Sequence, residues 1–268
     1  MEEKMIPSFD GTRLYMKKET APSDRAVCVI VHGLCEHQGR YDYLADRFHQ
    51  AGIGTYRFDH RGHGRSEGER TFYSDCDEMI KDVDMFVDIA IAENPDKPVF
   101  MLGHSMGGYA VALYGAMHPD KKLRGIVTSG ALTYDNGHLI TAVPRGHDAH
   151  ETMPNQLGSG VCSVAEVVDW YGKDPYNTQT FTFGLCYAIQ DGVERFESLV
   201  KEFSYPVLML HGEKDGLVSP EDTREFFANA SSSDRQMKIY GGLFHEIFNE
   251  YCRDETIGDA VNWISRRI

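Results

Sequence analysis

Between Ala26 and Ser129, short runs of β-branched and apolar residues alternate with longer stretches of helical period, and few architectures accommodate that rhythm. Ala26-Val27-Cys28-Val29-Ile30-Val31 is apolar at every position, as befits a central strand covered on both faces. Tyr41 to Gln50 places apolar residues at 41, 44, 45 and 48, with Gly52 where a left-handed cap would end the helix. Ile53 to Phe58 predicts a strand. Ser74 and Asp77 form a capping-box pattern ahead of Met79, Ile80, Val83, Val87, Ala90 and Ile91, which predicts an amphipathic helix of about 20 residues. Pro98 to Leu102 and Leu123 to Ser129 predict strands around a helix, Met106 to Met117, that His118-Pro119 stops. Such β-α alternation specifies a mostly parallel sheet with right-handed crossovers and helices on both faces.

The flanks extend this layout. Lys4 to Lys18 predicts two short strands about Asp10-Gly11, a dipeptide that tolerates the positive φ of a tight hairpin. From Ala131 to Ser204 the rhythm breaks into a stretch rich in Gly, Pro, Asn and Thr, expected to be an insertion and not a core element. The alternation resumes with a strand at Val207 to Leu210, a helix at Pro220 to Ala230, a strand at Met237 to Tyr240 and a last helix ending near Arg266. The expected organisation is an α/β core in two halves, 1–130 and 205–268, sharing one eight-stranded sheet, with 131–204 inserted as a cap or lid.

Composition narrows the function classes. The formal net charge of −14 repels phosphate backbones and anionic membrane surfaces, so no nucleic-acid partner is expected. No apolar run approaches the roughly 20 residues of a membrane span. Met1 to Pro7 carries two acids where a secretory leader has bases, which points to the cytoplasm. The six cysteines, Cys28, Cys35, Cys76, Cys162, Cys186 and Cys252, show no CxxC or finger spacing and read as free thiols of a reducing compartment.

Gly103-His104-Ser105-Met106-Gly107 falls between a strand and a helix, the context in which G-x-S-x-G places a serine on a strained turn. Glycine is needed at 103 and 107 because side chains there would collide with the turn. The helix that starts at Met106 aims its amides at the space above Ser105, where they would stabilise a developing oxyanion. A serine nucleophile needs a histidine base and a carboxylate to orient it, in the chain order Ser, acid, His. His211 ends a strand, whereas His245 follows the last strand across Gly241-Gly242 in a loop free to reach the sheet edge, so His245 is the expected base. Asp215, just past the strand ending at His211, is the expected acid. Its rival Asp222 has a sufficient structural role in the helix start Ser219-Pro220-Glu221-Asp222. The second oxyanion donor is expected from the loop His32-Gly33-Leu34, as the Leu34 amide, with His32 bracing the loop.

Two metal-like patterns fail on spacing. His245-Glu246-Ile247-Phe248-Asn249 lacks the second histidine of HExxH. Asp59-His60-Arg61-Gly62-His63-Gly64 lacks the further ligands of a tetrahedral site and reads as a structural loop. The expected chemistry requires no metal or organic cofactor.

Taken together, these motifs resemble the serine-hydrolase branch of the α/β-hydrolase family that contains monoacylglycerol lipases and bacterial lysophospholipases. His32-Gly33-Leu34-Cys35-Glu36-His37 with Arg40-Tyr41 and Leu44-Ala45 is similar to that branch's HGxGEHxxRYxxLA signature. Cys35 stands where that signature has glycine. Asp59 to Gly68 resembles its D-x-x-G-H-G-x-S-x-G loop, and Gly103 to Gly108, His211 to Asp215 and His245-Glu246 resemble the nucleophile, acid and base blocks. The resemblance covers roughly 26–130 and 205–268, and between them only Asp174-Pro175 has a counterpart in some relatives.

What the resemblance implies is the α/β-hydrolase fold and hydrolysis of a small acyl ester, a monoacylglycerol or lysophospholipid, through an acyl-enzyme on Ser105. It also implies a mobile cap lining an apolar tunnel and touching lipid transiently. Phe181, Phe183, Leu185, Tyr187 and Ile189 alternate with polar or small residues and fit such a tunnel or plain packing on the core equally well. Fold and triad do not select the leaving group. Aryl or feruloyl esters, thioesters, amides and a receptor without turnover therefore stay open at this point.

Overall fold

Gly11, at φ +89°, turns the chain so that strands β1 (Glu2–Pro7) and β2 (Arg13–Glu19) pair antiparallel. The computed structural model describes residues 1–268, the side chain of Ser159 excepted. In chain order follow β3 (Ala26–Val31), α1 (Asp42–Gln50), β4 (Ile53–Phe58), α2 (Cys76–Glu93), β5 (Val99–His104), α3 (Met106–Met117) and β6 (Gly125–Ser129). Then come β7 (Thr152–Pro154), α4 (Ala165–Lys173), β8 (Thr180–Thr182), α5 (Phe183–Leu199), β9 (Val207–Gly212), α6 (Pro220–Asn229), β10 (Arg235–Tyr240) and α7 (Arg253–Ser265).

Eight strands form one sheet in the order β1-β2-β4-β3-β5-β6-β9-β10, and every pairing from β4 to β10 is parallel. Because side chains alternate along a strand, β3 feeds both faces. Val27, Val29 and Val31 join a core with α2, α3, α5 and α6, while Ala26, Cys28 and Ile30 join a second core with α1 and α7. The order reverses at β3, which pairs with β4 on one side and β5 on the other. In open parallel sheets that reversal opens a crevice at the carboxyl ends of the strands, and here the crevice lies between the turn after β3 and the turn after β5.

Three local expectations need correction. The cap of α2 is Asp75, not Ser74: the Asp75 side chain accepts from the Glu78 amide at 2.9 Å, and Glu78 accepts from the Ser74 amide at 2.8 Å. The carboxylate caps one residue further along and adds a charge favourable to the helix amino end. Asp222 does not serve its own helix start. Its carboxylate accepts the backbone amides of Tyr134, Asp135 and Asn136 at 2.8–3.0 Å and so ties the chain leaving β6 to α6.

The third concerns 131–204. Expected to hold no core element, it supplies α5, which the Thr182 hydroxyl starts by accepting from the Leu185 amide at 3.1 Å. Leu185, Cys186, Ile189, Val193 and Phe196 then fall on one helical face, buried in the main core against α2 and α3. The alternation at 181–189 overlapped a stronger 3.6-residue period that continued to Phe196.

Candidate active site

Ser105 sits between β5 and α3 at φ 54°, ψ −119°, a conformation that L-residues adopt only when the surroundings enforce it. The enforcement is steric. A Cβ on Gly103 would lie 2.2 Å from the Gly107 carbonyl, and one on Gly107 would lie 2.2 Å from the Val31 carbonyl of β3. Gly103 thus relieves the turn itself, while Gly107 lets α3 approach the neighbouring strand. The Ser105 amide donates to Ser129 at 2.9 Å and its carbonyl accepts from Tyr109 at 2.9 Å, so both ends of the strained residue are pinned.

The turn after β3 packs against this serine: a Cβ on Gly33 would lie 3.1 Å from the Ser105 Cβ. His32 braces it as a neutral imidazole. Nδ1 donates to the Gly33 carbonyl at 2.8 Å and Nε2 accepts from the His60 amide at 2.9 Å, while burial holds its pKa down at about 3. Among the described residues, the amides of Leu34 and Met106 donate to no other group. Both residues line the cavity beside Ser105. Cys35 adopts φ 61°, the left-handed conformation that explains why glycine suits its place, and burial pushes its thiol up to about 12.

Asp215 and His245 meet beside Ser105. His245 Nδ1 donates to Asp215 Oδ2 at 2.6 Å. Burial disfavours the imidazolium, but the charge and hydrogen bond of Asp215 outweigh it, and the His245 pKa lies above its ordinary value. For Asp215 burial also opposes ionisation, yet His245 and His211 hold its carboxyl well below the usual carboxylate range. Ser105 and His245 line one cavity. His104 packs beside His245 with ring centroids 4.5 Å apart, and burial holds it down at about 3.

Sequence reasoning did not foresee the charges behind this cavity. Arg40, almost wholly buried, donates to both Glu246 oxygens at 2.6 and 2.7 Å and to Glu36 at 2.6 Å. Glu36 in turn accepts from the Gly33 amide and the Tyr41 hydroxyl, each at 2.6 Å. One guanidinium therefore joins the loop carrying Leu34 to the loop carrying His245. Burial alone would push Glu36 up, but Arg40, with smaller help from His104, His32 and the Tyr41 hydroxyl, outweighs it and the carboxyl ends below its ordinary range. The four-residue spacing of Glu36 and Arg40 was the available signal, whereas nothing local pointed to Glu246.

The Asp59 loop is held by hydrogen bonds: Asp59 accepts from the amides of Gln38 and Arg65 at 2.8 Å, and Arg61 grips Asp82 at 2.7 and 2.9 Å. The cavity walls contributed by 131–204 are apolar, namely Leu132, Leu139, Leu157, Val161 and Ile189, with the ring of Tyr171. Glu246 donates its amide to the Val161 carbonyl at 2.7 Å, and Glu250 accepts from Ser163, so this segment is fastened to the His245 loop.

Residues 22–251 match the family described as serine aminopeptidase, S33. A monoacylglycerol lipase of Mycolicibacterium smegmatis is 33% identical over 98% of this chain and 96% of its own. The human monoglyceride lipase is 32% identical over 98% of this chain and 90% of its own. Among solved structures, a Paleococcus ferrophilus monoacylglycerol lipase superposes with a TM-score of 0.82 at 29% identity, covering 95% of this chain and 99% of the other.

Proposed function

As this chain belongs to the serine aminopeptidase S33 family of α/β-hydrolases, we propose that Ser105, His245 and Asp215 are its catalytic triad and that a monoacylglycerol is its substrate. The chain is a serine ester hydrolase. Ser105 Oγ attacks the acyl carbonyl while His245 Nε2 takes its proton, and Asp215 holds Nδ1–H so that the correct nitrogen faces the serine. The amides of Leu34 and Met106 receive the oxyanion, and losing one such donor typically costs about 3–4 kcal/mol of transition-state stabilisation. Collapse expels the alcohol, protonated by His245, and water then releases the acid from the acyl-enzyme by the same steps.

The charge of the cavity wall carries the choice of substrate. Its charged members, Glu36 and Glu246, are acidic, and the one cation behind them, Arg40, is fully engaged by both. A phosphate headgroup would meet two carboxylates and no free cation, which disfavours lysophospholipids. An uncharged glycerol alcohol with an apolar acyl chain fits both the acidic end and the leucine-lined walls.

The proposal includes 131–204 as a cap over core halves 1–130 and 205–268. The cavity at Ser105 measures about 20 Å³, room for about one water, so substrate entry requires that segment to move. Trp170 of α4, 57% exposed, is where the cap would touch lipid transiently. No helix is long and apolar enough to cross a membrane. The six cysteines are free thiols, which supports a place in the reducing cytoplasm.

A fluorophosphonate probe should label the wild-type protein and spare Ser105→Ala. With one acyl chain throughout, kcat/KM should be highest for the monoacylglycerol and lower for the lysophosphatidate and an aminoacyl arylamide. Equal labelling of both proteins rejects the nucleophile, and preference for either charged substrate rejects the substrate class.

A further inference from the structure

Asp215 is bonded more heavily than orienting one imidazole requires. Its Oδ1 accepts the amides of Leu217 and Val218, each at 2.9 Å. Its Oδ2 accepts His245 Nδ1 at 2.6 Å and also lies 3.0 Å from Nε2 of a second histidine, His211 at the end of β9. His211 is completely buried.

The surroundings of His211 fix its protonation pattern. Nε2 faces two groups that can only accept, the Val218 carbonyl at 3.0 Å and Asp215 Oδ2 at 3.0 Å, so it must carry the hydrogen. Nδ1 then accepts from the Thr223 hydroxyl of α6 at 2.8 Å. Val218 closes the circuit, because its amide binds Asp215 Oδ1 while its carbonyl receives the His211 N–H.

We propose that His211 is a positioning residue for the hydrolysis: its Nε2–H, bonded to the Val218 carbonyl and shared with Asp215 Oδ2 at 3.0 Å, keeps that oxygen on the line to His245 and shares the carboxylate's charge between two imidazoles. This rests on the triad assigned above. Thr223 sets the His211 tautomer, so the alignment of the base traces back through Asp215 and His211 to a hydroxyl on α6. The groups facing His245 are Asp215, Glu246, Glu36 and the neutral ring of His104. Of these, His211 contacts Asp215 alone, so its loss reaches the base through that carboxylate.

A hydrogen bond to a charged group is worth about 10- to 100-fold, so His211→Leu should lower kcat by that order with KM within about twofold of wild type. With less of its charge shared, Asp215 would favour the imidazolium of His245 more strongly, and the acid limb of kcat/KM should move to higher pH. His211→Gln, which can present an amide N–H in the same direction, should recover most of the turnover. Unchanged kcat, or a kcat loss with the acid limb unmoved, overturns the proposal.

Folding of the variants is checked by thermal melting. Should they fail to fold, ¹⁵N NMR of wild-type His211 decides: the Nε2–H tautomer supports the proposal and the Nδ1–H tautomer overturns it. Asp215→Asn is measured alongside. Wild-type turnover in that variant would reject the triad itself, whereas an inactive Asp215→Asn beside a fully active His211→Leu would reject only the role of His211.

Discussion

Ser105 and His245 face one cavity but are held there by opposite means. The serine is placed by backbone alone: two glycines without room for a Cβ, a carbonyl on the neighbouring strand, and its own amide and carbonyl pinned to Ser129 and Tyr109. The histidine is placed by charge, through Asp215 directly and through the Glu246–Arg40–Glu36 bridge that fixes its loop. Steric placement depends on neighbours a few residues apart in sequence or on adjacent strands. Electrostatic placement joins residues as distant as Arg40 and Glu246, and it is sensitive to pH.

Breaking the charged side should have the larger effect on stability. Arg40→Met keeps much of the volume but leaves Glu36 and Glu246 buried without a cation, a change that typically costs about 3–5 kcal/mol. Urea unfolding at neutral pH should show that loss. It should shrink as the pH falls, since protonation removes the uncompensated charges. A loss that stays constant with pH would mean the bridge acts by packing and not by charge.

Gly107→Ala tests the steric side and should follow in size. The added methyl meets two backbone carbonyls, Val31 at 2.2 Å and His32 at 2.5 Å, so α3 and β3 must separate. Overpacking of this kind costs about 1–3 kcal/mol. Because β3 leads into the Leu34 loop, fluorophosphonate labelling should slow as well. The destabilisation should be flat between pH 5 and about 9, a range in which no group at this contact titrates. A pH-dependent cost would place charge on the steric side and dissolve the contrast.

The same division governs what could be read from the amino acids. The strand–turn–helix around Ser105, the parallel sheet and the pairing of Asp215 with His245 were legible, because apolar periods and glycine positions are local and chain order in this architecture is restricted. The left-handed Cys35 was flagged by its place in a glycine position. The Arg40 bridge, the approach of His211 to Asp215 and the use of Asp222 to anchor 134–136 were not, since each joins groups whose proximity exists only after folding. The core face of α5 was hidden for another reason: its first residues satisfy a two-residue period as well as a helical one.

The smallest expected effect isolates the Asp215–His245 ion pair of the proposed triad. His245 has its pKa raised by Asp215 against the pull of burial, so the folded state binds its proton more tightly than the unfolded chain does. The sign follows. The contribution is fully present below the unfolded histidine value, about 6.5, and disappears as pH rises through the folded value. In Asp215→Asn the attraction is absent at every pH. The stability difference between wild type and this variant, from urea midpoints, should therefore be wider at pH 6 than at pH 9. Asp215 stays ionised throughout that window, because its own pKa is depressed, so the narrowing belongs to His245. A difference that widened toward pH 9 would mean that the buried imidazole favours its neutral form in the folded protein, and that desolvation, not Asp215, dominates its proton affinity.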